Sequence, residues 1–277
     1  AAGLDQEVAD AIRQHYKPQG PSDSLPEGKV AATVALADKL GTLVGFFAIG
    51  EKPTGSKDPY ALRRSALGIL RIVRDHGLSL SMRELVEAWY AHLAGGDNRI
   101  EAQDFEAVQA DVLDFFNDRL KVQLREEGHA PDVLDAVFAL KDDDLLRLTK
   151  KLDALEAVLA EGDDLVQTHK RAANILAAAK WSEPATTPLA SGQAEAAETA
   201  LVAALSRAQG VVQKALQTEN YTEALQAVAA LRQNVDGFLD GVLVNAEDAG
   251  VRAARLNLLA GVCALSDGVA DLSRIAG

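Results

Sequence analysis

The sequence predicts an all-α protein. Three observations carry that prediction. Apolar residues recur at helical spacing, and no alternating pattern runs long enough to demand a sheet. Ala and Leu are abundant while aromatics make up only 5%, a composition suited to helices packed through aliphatic stripes. Clusters of Pro, Gly, Ser and Asp punctuate the apolar segments. With 277 residues, 48% of them hydrophobic, the chain can bury the core of two modest domains or of one long helical array. It shows no repeat of fixed period and no low-complexity tract.

Taken in order, residues 4–16 read as a helix, and Pro18, Gly20 and Pro21 turn the chain after it. Residues 28–49 are strongly apolar, and their length and Ala content predict a helix rather than a strand. Gly50 to Lys57 is a loop. Asp58 is placed to cap a helix running to Val73, with Pro59 at its first position. Leu62, Ala66, Ile69, Leu70 and Val73 share a face, which leaves Arg63, Arg64, Arg71 and Arg74 for solvent. Ser81-Met82-Arg83-Glu84 fits a capping box for a helix through Leu93, broken by Gly95-Gly96-Asp97-Asn98. Phe105, Val108, Val112, Phe116 and Leu120 mark a long helix over 104–125. Helices follow at 132–140, 142–160, 166–179, 193–217, 222–239 and 247–275, with a surface loop after Trp181 and a short apolar link at 241–246. The pattern divides into a helical unit over 1–80, a helical middle over 81–162 and a helical bundle over 163–277.

The formal charge is −13, which argues against a uniformly basic nucleic-acid binder. The charge is uneven, however. Residues 84–165 carry the whole excess at −13, whereas 51–83 are net +4. A polyanion is expected to touch the flanks and avoid the centre. Residues 1–20 carry charges throughout, so no signal peptide is expected, and no uninterrupted apolar run is expected to reach the ~20 residues that span a bilayer. The lone Cys263, in an apolar helical setting, suggests core packing and a reducing compartment. These features predict a cytosolic protein. The chain opens Ala1-Ala2-Gly3 inside an apparent helix and reads as a domain of a longer polypeptide.

Catalytic constellations are thin. No two of His15, His76, His92, His129 and His169 stand at i, i+3 or i+4, so no local metal site is expected. There is no phosphate loop of the P-loop type, and Gly41 and Gly45 match no dinucleotide fingerprint. Cys263 lacks the basic setting of a nucleophile. Asp142-Asp143-Asp144 has the look of a cation cluster but is explained more simply by a helix start. The most informative segment is basic: Lys52, Lys57, Arg63, Arg64, Arg71 and Arg74. Two of them flank a Gly/Ser/Thr loop leading into a helix start, where free amides and the helix dipole suit a phosphate.

Longer strings in the same region are specific. Val34-Ala35-Leu36-Ala37-Asp38-Lys39-Leu40, Thr42-Leu43-Val44-Gly45 and Pro53-Thr54-Gly55-Ser56-Lys57-Asp58-Pro59-Tyr60-Ala61-Leu62-Arg63-Arg64 resemble the signature of the bacterial glycyl-tRNA synthetase β subunit family. His15-Tyr16-Lys17-Pro18 resembles an upstream loop of that family. Independently, Lys170-Arg171-Ala172-Ala173-Asn174-Ile175-Leu176, the string from Asp236 to Val244 and Arg252-Ala253-Ala254-Arg255-Leu256-Asn257 resemble helices of its DALR-type anticodon-binding domain. The resemblance runs from about residue 12 to the end and covers the C-terminal part of that subunit.

The resemblance implies the end of an HD-type domain, a helical linker and a DALR-type bundle. It implies tRNA(Gly) and the α subunit as partners in an α2β2 enzyme, with ATP and magnesium used at the α subunit and no cofactor in this stretch. Asp38 matches the last acidic position of the HD superfamily, while Gly41 departs from the family's usual Asp, so phosphohydrolase activity is not expected. Lys52, Lys57, Arg63, Arg64 and Arg71 are the expected contacts to tRNA backbone. Lys170, Arg171, Asn174, Arg252, Arg255 and Asn257 are the expected anticodon contacts, although Asn174 equally suits a cap or a tie between helices. The tail of an arginyl- or cysteinyl-type synthetase, which shares the DALR bundle, and a helical interaction scaffold stand as alternatives; the residues from Pro53 to Arg64 speak against the first.

Overall fold

The computed structural model describes residues 5–95, 102–188, 190, 192 and 194–276. They form helices and connecting loops, with no strand among the described residues. The chain divides into two compact units, one holding residues up to His129 with Asp142–Leu148, the other Ala130–Lys141 with everything from Thr149 onward. The stretch 81–162 is therefore shared between the two.

The first unit is built around one helix. It contains α1 (Gln6–Gln14), α2 (Lys29–Ala48), α3 (Leu62–Asp75), α4 (Met82–Gly95) and α5 (Phe105–Glu126). Helix α2 packs against all four others, which is why its apolar residues are not confined to one stripe. Ala35, Leu43, Val44 and Ala48 have no exposed surface. At 20 residues and mean hydropathy 1.5, α2 is long and apolar enough to cross a bilayer, contrary to the sequence expectation. Half of it is buried against those four helices, which accounts for much of that composition. Glycine lets α4 approach: a Cβ at Gly41 would stand 3.0 Å from the Trp89 indole. Helix α5 adds Phe116, Leu120 and Leu124 to the core, and Phe115 meets Phe47 with ring centroids 5.3 Å apart. Each such side chain contributes about 1.5–3 kcal/mol by leaving water.

Helix starts follow local chemistry closely. Asp5 and Asp104 each accept an amide from the first turn of their helix. Ser81 Oγ accepts the Glu84 amide at 3.2 Å, the first half of the expected capping box. The three aspartates before α7 (Leu145–Glu161) are all engaged by donors. Asp144 accepts the Leu146 and Arg147 amides, both at 3.0 Å, and the Ser79 hydroxyl. Asp143 accepts the Ser81 hydroxyl, and Asp142 takes the Arg147 guanidinium at 2.7 and 2.5 Å. These are the uses expected of carboxylates at a helix start.

The second unit holds α6 (Pro131–Phe138), most of α7, α8 (Asp164–Ala178), α9 (Ala196–Gln217), α10 (Tyr221–Ala229), α11 (Arg232–Gly241), α12 (Ala249–Ala264) and a 3₁₀ turn (Leu272–Arg274). Helices α8 and α9 both pack against α10, α11 and α12. Leu165, Leu205, Leu225, Val235, Phe238, Leu258 and Leu259 make the shared core. Two predicted helices are interrupted. The 222–239 helix breaks at Ala230 and Leu231, where the Leu231 amide donates to Val228 O at 3.0 Å instead of one residue further back. No Gly or Pro marks the break, and Leu231 and Val235 on either side of its turn are buried. The 247–275 helix ends at Ala264, and the chain returns as the 3₁₀ turn, whose Asp271 amide donates to Ala136 O at 2.9 Å. Burial pushes the Cys263 thiol up to about 12, so it is a packing group rather than a nucleophile.

Candidate nucleic-acid interface

In the first unit the loop before α3 is tightly made. Thr54 and Lys57 exchange backbone hydrogen bonds at 3.0 and 2.8 Å around Gly55, whose φ is +50°. Asp58 does cap α3, but from four residues upstream: its carboxylate accepts the Leu62 amide at 2.9 Å and the Arg63 amide at 3.0 Å. The intervening Ala61 is left-handed, at φ 55°, and Pro59 lies outside the helix. This corrects the expectation of free amides for a phosphate, because Asp58 already fills that place. An anion here would compete with a bound carboxylate.

Positive charge is offered instead by side chains one helix face further on. Arg63, Arg64 and Arg71 of α3 and Arg119 of α5 line one cavity of about 690 Å³, together with Pro18, Pro21, Leu67, Val122 and the acidic Asp58 and Glu126. Arg63 donates to Gly55 O at 2.6 Å. Arg71 does not face solvent freely as expected: it donates to Gly20 O at 2.8 Å and Asp23 O at 2.9 Å, tying the Pro-rich loop to α3. Arg64 is exposed and makes no hydrogen bond or ion pair among the described residues. The Arg119 guanidinium lies 5.1 Å from the Phe115 ring centroid, and its Nε has no hydrogen-bond partner.

None of these four guanidiniums sits within ion-pair distance of a carboxylate among the described residues. Elsewhere Arg13, Arg74, Arg147, Arg171, Arg232, Arg255 and Arg274 all do. In a chain of net −13, arginines held on backbone carbonyls or left alone are not taken up in ion pairs and can meet an anion. Lys52 is ion-paired to Asp111, and Lys57 is exposed beside the loop; neither lines the cavity. Arg74 is spent on a bidentate pair with Glu127 at 2.7 and 2.8 Å, which holds the Glu127 carboxyl below its usual range.

A second concavity lies on the other side of Arg64 and contains Asp38 with Tyr16, Lys39, Thr42 and Ser65. Lys39 is buried and donates to Tyr16 O at 3.0 Å, and burial pushes its pKa down. Two cationic groups beside a single carboxylate do not fit the divalent metal of an HD-type centre, and no cluster of three metal-binding side chains occurs among the described residues.

In the second unit the expected anticodon contacts separate into exposed and structural groups. Asn174 is exposed, and Lys170 is half-buried. Asn174 lines a cavity of about 480 Å³ with Arg171, Ile175, Leu239 and the residues from Val242 to Asn245. Arg171 there is paired with Asp236 at 2.7 Å and Asp240 at 3.4 Å. Arg255 corrects the expectation of a surface contact. It is 4% exposed, and its guanidinium donates to Glu198 at 2.9 Å, to Glu195 at 3.2 Å and to Leu243 O at 2.8 Å. Arg252 donates to Ala246 O at 3.0 Å. The Asn257 carbonyl accepts the Thr186 amide and hydroxyl at 2.9 and 3.0 Å, which fastens the loop after Trp181. Arg252 and Arg255 thus hold the 242–248 loop, and that loop presents Leu243 at 69% exposure.

Sequence reasoning missed Leu243, Asn245 and Arg119. The first two had a signal, an apolar link where a loop should be polar. Arg119 had none, because it stands in the most acidic stretch of the chain.

Comparison with known proteins agrees with this layout. Residues 1–139 match the family model of the glycyl-tRNA synthetase beta subunit, and residues 165–269 match the DALR anticodon binding domain. Over its whole length the chain is 46% identical to the glycine–tRNA ligase beta subunit of Phenylobacterium zucineum, 45% to that of Cereibacter sphaeroides and 46% to that of Rhodospirillum centenum. It spans 39%, 40% and 39% of those relatives. The family match over the first unit and the DALR match over the second together place this chain in the glycyl-tRNA synthetase beta subunit family.

Proposed function

We propose that this chain is a tRNA-gripping part of a glycyl-tRNA synthetase β subunit. The arginine-lined cavity of the first unit engages the sugar-phosphate backbone of tRNA(Gly). The exposed Asn174, Leu243 and Asn245 of the second unit meet the anticodon loop, where unstacked bases offer faces and edges to read. Glycylation itself, with ATP and magnesium, takes place at the α subunit of an α2β2 assembly in the cytoplasm, and this stretch contributes affinity and selection. The observation that carries the reading is the set of four guanidiniums, none within ion-pair distance of a carboxylate among the described residues, on one concave face of an acidic protein. The relatives' name and the DALR match support the choice of tRNA(Gly) as the polyanion.

The test is binding of tRNA(Gly) to the chain, measured by filter retention, beside a tRNA(Gly) with a swapped anticodon. The expected result is tighter binding of the natural anticodon, with both RNAs weakened by Arg64→Ala and Arg119→Ala. Equal, weak binding that ignores those substitutions would refute it.

A further inference from the structure

The arginine cavity has a property that backbone binding does not require. A duplex backbone is held by a charged face and needs no enclosed volume. This partly open cavity has a volume of about 690 Å³, inside the ~300–1,000 Å³ typical of small-molecule sites. Leu67 of α3 and Val122 of α5 supply apolar surface beside the guanidiniums, and Val122 is 45% exposed although it stands on a core helix. The Arg119 guanidinium, 5.1 Å from the Phe115 ring centroid, adds a charged group beside that apolar surface.

We infer that this cavity takes one unstacked nucleotide of a single-stranded RNA segment, its base against Leu67 and Val122 and its phosphate against Arg64 and Arg119. Arg63 and Arg71, held by backbone carbonyls, fix the cavity wall and add charge. Asp58 and Glu126 in the same lining disfavour a second phosphate and so work against continuous duplex backbone. The inference rests on the RNA-binding reading above and narrows it to the kind of RNA structure this site accepts.

The test uses the full chain and three probes: a fluorescein-labelled single-stranded hexauridylate, a blunt RNA duplex of matched charge, and inorganic tripolyphosphate. Variants are Arg64→Ala, Arg119→Ala and the exposed Val122→Ser, with circular dichroism confirming each fold. Hexauridylate binding should fall about fivefold or more in either arginine variant and about threefold in Val122→Ser. Tripolyphosphate should respond to the arginines alone, and the duplex should compete poorly with the hexamer. If Val122→Ser changes nothing, or if the duplex competes as well as the hexamer, the nucleotide pocket is wrong while the backbone reading stands. If neither hexauridylate nor tripolyphosphate responds to the arginines but tRNA(Gly) does, the inference fails alone. If tRNA(Gly) is also indifferent to them, both readings fail.

Discussion

Arg255 illustrates how much a single side chain's surroundings decide. Beside Arg252 on α12 it has the spacing of an RNA-reading pair, yet it points into the second unit and neutralises Glu198, which has no exposed surface. Removing one partner of such a pair leaves a buried charge uncompensated, which costs ~3–5 kcal/mol, whereas replacing both with apolar groups is often neutral. Arg255→Ala should therefore lower the thermal midpoint of the second unit sharply, and Arg255→Met combined with Glu198→Leu should recover most of the loss. Calorimetry on the two variants separates the outcomes. An Arg255→Ala protein with wild-type stability and weakened tRNA binding would return Arg255 to the RNA surface.

Among the elements, α3 carries the most consequence. Its buried face, from Leu62 to Val73, is legible from spacing alone, and its arginines come as a by-product of amphipathicity. Its start is less legible. Asp58-Pro59 reads as cap and first turn, but a left-handed Ala61 delays the helix to Leu62, and Asp58 reaches forward to cap it. Asp58→Ala should therefore destabilise the first unit by ~1–2 kcal/mol, since two amides lose their acceptor. Urea unfolding would show a lower midpoint with an unchanged slope. No shift in midpoint would mean that solvent satisfies those amides equally well. The α10–α11 break is the reverse case: composition gives no breaker at Ala230, and the two short helices on either side both pack on α8 and α9.

At the scale of the molecule, a net charge of −13 is compatible with the proposed polyanionic ligand because the positive side chains are gathered rather than numerous. The affinity of tRNA(Gly) should fall with salt on a log–log plot, with a slope of about −0.7 to −0.9 for each phosphate neutralised. Arg63→Ala with Arg64→Ala should flatten that slope by one to two such increments. A slope identical to wild type across a salt series would show that these arginines serve the fold alone. The charge segregation was visible in the sequence as the +4 of residues 51–83. The contribution of Arg119 was not, because it joins that segment only when α5 packs on α3.

The sequence by itself determined the helical class, most helix positions, the capping role of Ser81, and the family resemblance. All of these depend on residues a few positions apart, where periodicity and local hydrogen bonding act. Only the tertiary structure decided which arginines are free. Arg171 finds Asp236 across 65 residues, Arg255 finds Glu198 across 57, and Arg71 finds Gly20 across 51. Charge is a property of a residue, but its availability depends on what the fold places within 4 Å of it, and chain spacing carries no record of that.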